Sequence, residues 1–318
     1  MQNSNQKVAV VAVGGNALIK DKSRTQISDQ YAAAAETMAH VAGMIEAGWS
    51  VVITHGNGPQ VGFMQRRSEL AAGEVHAVPL DYSGAHTQGS IAYMFERALY
   101  NEFQRRGLNK LVVGVVTQVL VGRDDPAFAR PSKPIGSFMD ELTAARHRDH
   151  DGWAVMEDSG RGWRRLVASP MPVRILQRDA IVTLIKAGYV VIGVGGGGIP
   201  VVESDTGQLE GAEVVIDKDL ASALLATSIE ADLLLISTEV EKVALSFGKP
   251  EQRWLDNVTL SEARQYLAEG HFGKGSMEPK MRAIIGYLER GGTAALVTNP
   301  PNIARALSGE TGTHIRPD

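Results

Sequence analysis

The stretch from Val191 to Pro200, reading Val-Ile-Gly-Val-Gly-Gly-Gly-Gly-Ile-Pro, constrains this chain more than any other. An apolar run that ends in four consecutive glycines reads as a buried strand opening into a loop with no side chain to block a ligand. Backbone N–H groups can then approach an anion. The arrangement recurs twice, where Val8–Val13 runs into Gly14-Gly15-Asn16 and where Val51–Thr54 runs into His55-Gly56-Asn57-Gly58-Pro59. Loops at the carboxyl ends of the strands of an open parallel sheet lie where such sheets bind ligands. Three of them point to one polyanion site.

The rest of the chain alternates as such a sheet requires. Strands are expected at Lys7–Val13, Val51–Thr54, Leu111–Thr117, Tyr189–Val194, Leu233–Ser237 and Thr293–Val297. Between them fall predicted helices over Asp29–Glu46, Val61–Leu70, Ser83–Arg105, Arg178–Ala187 and Leu220–Glu230. Thr259-Leu260-Ser261-Glu262 matches a capping box and predicts a helix reaching about Glu269. Gly275-Ser276-Met277-Glu278-Pro279-Lys280 opens another, ending near Gly291. This βα order favours a doubly wound α/β sheet. From Arg123 to Pro170, prolines and the charged run Arg146–Asp151 break the pattern. That length exceeds an ordinary connection, so the segment reads as an insertion standing off the sheet, either a lid or a solvated excursion.

Composition narrows the function classes. Hydrophobic residues make up 44% and charged residues 21%, enough for a large core. A net charge of −4 argues against nucleic acid as a partner and makes any anion site local. The chain has no cysteine, which excludes disulfides and thiolate metal sites. Its polar start and the short run Val8–Val13 fit neither a signal peptide nor a membrane span, so a soluble cytoplasmic protein with no membrane partner is expected. His147 and His150 lack a convincing set of further ligands, and no protein-held metal site is expected.

None of the glycine loops matches the Walker pattern or convincingly opens a dinucleotide-binding helix. Two lysines stand out. Lys218 lies between Asp217 and Asp219 just before a predicted helix, and Lys280 follows Pro279 at the start of another. Phosphoryl transfer needs fixed positive charge where negative charge accumulates. Either lysine alone reads better as a solvated, paired side chain. Asp217 and Asp219 suit a metal, a proton or the orientation of lysines, and a carboxylate there also suits a helix cap. His55, with no serine–aspartate arrangement around it, has at most a minor role.

At these residues the chain resembles the carbamate kinases of the amino acid kinase superfamily. The resemblance rests on Val13–Leu18, Thr54–Gly62, Pro131–Gly136, Glu157–Arg165, the four-glycine loop, Val215–Ala221 and Gly275–Met277, in that order. It implies an open three-layer αβα sandwich with a mainly parallel central sheet and a protruding lid subdomain, all within a single domain over residues 1–318. Residues 1–205 would form the carbamate or carbamoyl-phosphate half, including the lid at 123–170, and residues 206–318 the nucleotide half. The activity implied is reversible phosphoryl transfer between ATP and carbamate, usually run toward ATP in catabolism, with ATP or ADP as substrate, Mg²⁺ bridging its phosphates, and a homodimer. By position, Lys133, Lys218, Asp219 and Lys280 would be catalytic. Gly14, Gly15, Asn16, Gly56, Asn57, Gly195, Gly196 and Gly197 would bind the carbamoyl-phosphate end. Asp217, Ser237, Val240, Val243 and Met277 would bind the nucleotide.

Two residues depart from the family pattern. Glu278 replaces its usual glycine, placing a negative charge two residues before Lys280, and Ala244 replaces its usual tyrosine near the nucleotide. Glu278 either repels phosphate, weakening nucleotide binding in a way that Glu278→Gly or Glu278→Gln relieves, or points away into solvent, and Ala244 loosens nucleotide packing. Two other functions compete with the leading one: a kinase of the same superfamily acting on another small acid, and a nucleotide-binding regulatory protein that has lost turnover.

Overall fold

Val8–Val13 shows why the centre of the molecule is a sheet covered on both sides. Val10 and Ala12 enter one apolar cluster while Ala9, Val11 and Val13 enter another, and all five are essentially inaccessible to water. Successive side chains point to opposite faces of a strand, so a run apolar at every position must be buried twice. The computed structural model describes residues 6–15, 18–21, 23–158 and 160–318.

The central sheet has eight strands. From one edge to the other their order is Asn257–Thr259, Thr313–Arg316, Ala295–Thr298, Leu233–Ser237, Val8–Val13, Ser50–His55, Val190–Ile192 and Val112–Gly114. Every neighbouring pair is parallel except Ala295–Thr298 with Thr313–Arg316. Helices Ile27–Glu46, Leu80–Arg106 and Ile303–Leu307 cover the face of Ala9 and Val11. Helices Arg178–Lys186, Lys218–Ser228, Leu260–Ala268 and Met277–Glu289 cover the face of Val10 and Ala12. The molecule is the αβα sandwich that the sequence led us to expect. Thr259 and Glu262 make the predicted capping box in both directions.

The predicted strand Leu111–Thr117 is shorter, and a second strand begins just past its end. Val112–Gly114 ends the central sheet, and the chain then turns so that Gln118–Val121 joins a separate four-stranded sheet with Ile199–Glu203, Leu209–Gly211 and Pro172–Ile175. The turn is made by tertiary hydrogen bonds, since Gln88 Nε2 donates to Thr117 O at 3.1 Å and Thr117 N donates to Gln88 Oε1 at 2.8 Å. Between Val121 and Pro172 the insertion carries its own small sheet, Lys133–Met139, Trp163–Val167 and Ala154–Glu157, with helix Glu141–Asp151 against it. His147 belongs to that helix. It stacks on Trp153 with ring centroids 4.1 Å apart and meets Asp151 at 2.6 Å, so its partners lie within the insertion itself.

Candidate active site

The three glycine loops do arrive side by side, because their strands are neighbours. Gly14 N–H donates to Ser237 O at 3.1 Å, Gly56 N–H to Val13 O at 3.0 Å, and Gly193 N–H to Ile53 O at 3.0 Å, stepping across the strand ends. The backbones are so close that a Cβ on Gly56 would lie 3.1 Å from the nitrogen of Gly15. Asn16, also expected here, lies outside the described residues.

The four-glycine loop is a single tight turn at Gly195–Gly197, entered through Val194 at φ 54° and left through Gly198 at φ 95°. A β-branched residue in the left-handed region is uncommon and must be held by its surroundings. Here Val194 N–H donates to Thr117 Oγ1 at 3.0 Å and Gln88 Nε2 donates to Gly195 O at 2.9 Å. Gly196 lies against the Asn57 side chain, whose amide donates to Thr87 Oγ1 at 2.9 Å. Thr87, Gln88 and Ser83 are buried polar residues on helix Leu80–Arg106. The sequence reading passed over them, although polar residues on the buried stripe of a long helix are the available signal for such a role.

Helix Lys218–Ser228 supplies the charges. Its alanine- and leucine-rich sequence favours a helix, and Asp217 caps it, accepting from Asp219 N at 2.9 Å and Leu220 N at 3.4 Å. Lys218 Nζ reaches Asp219 Oδ1 at 2.6 Å, while Lys280 Nζ reaches Oδ2 of the same carboxylate at 3.0 Å. The Asp219 side chain is only 5% exposed. Burial pushes its carboxyl up, but the ammonium groups of Lys218 and Lys280 outweigh that and hold it at about 2. Asp219 is therefore a fixed anion that orients two lysines and a poor proton acceptor near neutrality. Ser222 Oγ donates to Lys218 O at 2.7 Å, so the hydrogen shared with Thr54 Oγ1 at 2.6 Å belongs to Thr54. Both hydroxyls are fully buried, and they tie the first turn of this helix to strand Ser50–His55.

Lys133 comes from the insertion, and its Nζ lies 3.0 Å from Asp217 Oδ2. The insertion thus reaches the same helix N-terminus as the other two lysines. Lys280 also lines two adjoining hollows. One, about 370 Å³, is bounded by Gly14, Gly15, Ser237 and Asn299. The other, about 740 Å³, is a cleft bounded by Val240, Ala244, Phe247, Phe272 and Met277 among others. Of the residues expected at the nucleotide, Val240 and Met277 stand in the walls of the cleft and Ser237 in the smaller hollow. Val243 sits in the apolar core with its N–H on Thr313 Oγ1, and Asp217 is engaged with Lys133 and its helix. Ala244 does face the cleft, leaving room there.

Glu278 does not act as its position suggested. Its carboxylate accepts from Arg282 Nε at 2.9 Å and Nη2 at 2.8 Å, one turn along helix Met277–Glu289, and it is absent from the cleft wall. An i,i+4 partner offsets the charge locally. Glu278→Gln is expected to change ADP affinity less than about fivefold, because a solvent-screened charge already paired with Arg282 and outside the cleft wall contributes under about 1 kcal/mol. Calorimetric titration at low salt checks this, and a tenfold gain in affinity would mean that the carboxylate faces the phosphates.

His55 is wholly buried at the end of strand Ser50–His55, edge-on to Phe95 at 5.6 Å and directly against Gly195. Burial pushes its imidazole down to about 4, so it is neutral in the working range, with Nδ1 donating to Gly56 O. Between pH 6.5 and 4 the unfolded chain binds a proton here that the folded chain does not, so stability falls as pH falls through that window. The loss approaches about 3 kcal/mol. His55→Gln should flatten this limb in urea melts taken from pH 7 to pH 4. Asp219 works in a different window: its contribution is present above its unfolded value and is lost as pH drops toward 2. An unchanged slope in the glutamine variant would remove His55 as its source.

Comparison with known proteins agrees with this geometry. The model of the amino acid kinase family matches residues 7–299. The carbamate kinase-like protein YahI of Escherichia coli is 48% identical, over 98% of this chain and 99% of its own. The carbamate kinase of Thermococcus kodakarensis is 45% identical over 97% and 99% respectively. Among solved structures, carbamate kinase from Giardia lamblia bound to AMP-PNP superposes with a TM-score of 0.94 at 38% identity, covering 99% of this chain and all of that one. By its fold, its strand-end glycine loops and this full-length similarity, the chain belongs to the amino acid kinase family, among the carbamate kinases.

Proposed function

We propose that the protein is a carbamate kinase, a phosphotransferase that moves a phosphoryl group reversibly between ATP and the carboxyl group of carbamate. The observation that carries this reading is the buried Asp219 carboxylate shared by Lys218 and Lys280, on a helix that packs against the four-glycine loop. In the direction of ATP formation, a β-phosphate oxygen of ADP bonds to the phosphorus of carbamoyl phosphate. The bond from phosphorus to the carbamate oxygen breaks, and carbamate leaves as an anion that, after taking a proton from water in solution, decomposes to carbon dioxide and ammonia. No proton has to move in the transfer, so the chemistry asks for position and positive charge rather than a base. A carboxylate held at about 2 and bonded to two ammonium groups suits that demand.

In this reading Lys218 and Lys280 bind the transferring phosphoryl group. Gly14, Gly15, Gly56, Asn57 and Gly195–Gly197 surround the carbamoyl-phosphate end, Lys133 approaches it from the lid, and the nucleotide occupies the cleft beside Met277. Asp217 and Asp219 are both engaged by lysines, so they fit Mg²⁺ held by the nucleotide's own phosphates and water rather than by a protein cage. The bound ion would neutralise phosphate charge. A homodimer also belongs to this reading. Tyr82, Tyr93 and Tyr100 fall on one stripe of helix Leu80–Arg106 and stand exposed, and in this reading that stripe is the face a second copy covers. A cytoplasmic setting follows from the need for ADP and ATP.

Purified protein given Mg²⁺, ADP and carbamoyl phosphate is expected to form ATP, read by luciferase luminescence. Folded protein that yields no more ATP than the enzyme-free control would reject the proposal.

A further inference from the structure

The lid touches the body through two different kinds of contact. Ile135 and Val167 of the lid sheet pack with Val61, Leu80 and Val215 of the body in a small apolar plug at the lid's root. Gly136 passes so close to helix Gly58–Ala71 that a Cβ on Gly62 would lie 3.7 Å from its Cα. The second contact is ionic: Arg165 meets Glu213 at 3.2 Å, and Lys133 meets Asp217, 84 residues away in the chain. Val215 and Asp217 stand two residues apart, so both contacts converge on the segment leading into helix Lys218–Ser228.

The two oxygens of Asp217 do different work. Oδ1 accepts the first free N–H groups of the helix, which fixes the carboxylate plane, and Oδ2 faces Lys133 Nζ at 3.0 Å. Asp217 is 15% exposed and Lys133 44%, so one member of the pair is held and the other is adaptable. A pair this exposed adds little to stability, and its effect lies in placement. An ammonium group has three donors, and Asp217 is the one hydrogen-bond partner recorded for Lys133 Nζ among the described residues. The remaining donors are available to an anion.

We propose that Asp217 is a positioning residue for the lid: a single carboxylate caps the helix that begins with Lys218 and holds Lys133, setting the lid lysine in register with the phosphate-binding lysines. This rests on the carbamate kinase reading for its substrate, carbamoyl phosphate, and on geometry alone for the catch itself. When carbamoyl phosphate binds, Lys133 keeps one donor on Asp217 and turns the others to the ligand. The lysine's position is then set before the substrate arrives.

The test is a double-mutant cycle with Asp217→Asn and Lys133→Met. Asparagine keeps an oxygen for the helix N–H groups and removes the charge facing Lys133, so the melting temperature should be preserved. Asp217→Asn is expected to raise the KM for carbamoyl phosphate about tenfold, with ADP affinity changed less than about twofold, and to add nothing further when Lys133 is already methionine. A helix-capping role alone predicts losses that multiply in the double variant, and that result would overturn the proposal. Hydrogen exchange supplies a readout that needs no turnover and no Asp217 variant. The amides of residue 133, Ile135 and Gly136 should exchange faster in Lys133→Met than in the unsubstituted protein, and equal exchange would count against the catch. Failure of the unsubstituted protein to make ATP would bear on the carbamate kinase reading alone, leaving exchange to judge the catch.

Discussion

Lys218→Met is expected to lower turnover by about a thousandfold at saturating ADP and carbamoyl phosphate, while leaving the protein folded. Removing one preorganised charge from a transition state typically costs a hundred- to a thousandfold, and the upper end applies where the group is shielded from water. The Lys218 side chain is 12% exposed, its ammonium is fixed on Asp219, and its backbone carbonyl is held by Ser222. Methionine nearly matches the length of the aliphatic stem, so packing survives. Asp219 keeps Lys280 as a partner, which avoids leaving a bare buried carboxylate. The loss should therefore appear in kcat, with ADP affinity changed much less, because a lysine on the transferring group acts chiefly in the transition state. Rapid-quench measurement of ATP formation, with a thermal melt as control, checks this. Turnover within tenfold of the unsubstituted protein would mean that Lys218 is only a structural partner of Asp219.

Gly197→Ala is expected to destabilise the fold by about 4 kcal/mol and to abolish turnover with it. Two costs combine. Gly197 has φ 93°, outside the range L residues adopt easily, which costs about 1–3 kcal/mol. Its new methyl would also strike the carbonyl oxygen of Ile216, a backbone atom that cannot move aside without shifting Asp217 and the helix it caps. Overpacking of this kind costs about 1–3 kcal/mol more. Gly15→Ala is the control, because a Cβ there meets nothing within 4 Å among the described residues. Urea unfolding of both variants separates them. If Gly197→Ala melts within about 1 kcal/mol of the unsubstituted protein, the loop is slack and its glycines serve ligand approach alone.

Much of this architecture was legible because it is written in short-range patterns. Val8–Val13 and the run 233–236 are apolar at every position, and only a strand covered on both faces satisfies them. Thr259 and Glu262 specify a helix start through two local hydrogen bonds. The glycine loops mark strand ends through the absence of side chains, and the resemblance pointed to Lys133, Lys218, Asp219 and Lys280 as one group. The structure pairs Lys218 and Lys280 with Asp219, while Lys133 pairs with the adjoining helix cap Asp217.

Where local pattern ran out, the outcome depended on which distant groups met. Leu111–Thr117 reads as one strand, yet the strand ends at Gly114, and Gln88 on a helix holds Thr117 in the turn that leads to the second sheet. Asp217 stood among the nucleotide residues by position in the chain, and the lid's approach engages it with Lys133 instead. Glu278 seemed to threaten the phosphates, but its neighbour one helical turn away accepts the charge. The sequence by itself determined the strands, the helices, the glycine-lined ends and the residue types available for chemistry, because periodicity and capping act over a few residues. Only the tertiary structure decided that one buried aspartate serves two lysines 62 positions apart, at 218 and 280, and that a second aspartate meets the lid. A charge pair forms where crossovers bring side chains within about 4 Å, and nothing in the local pattern encodes that distance.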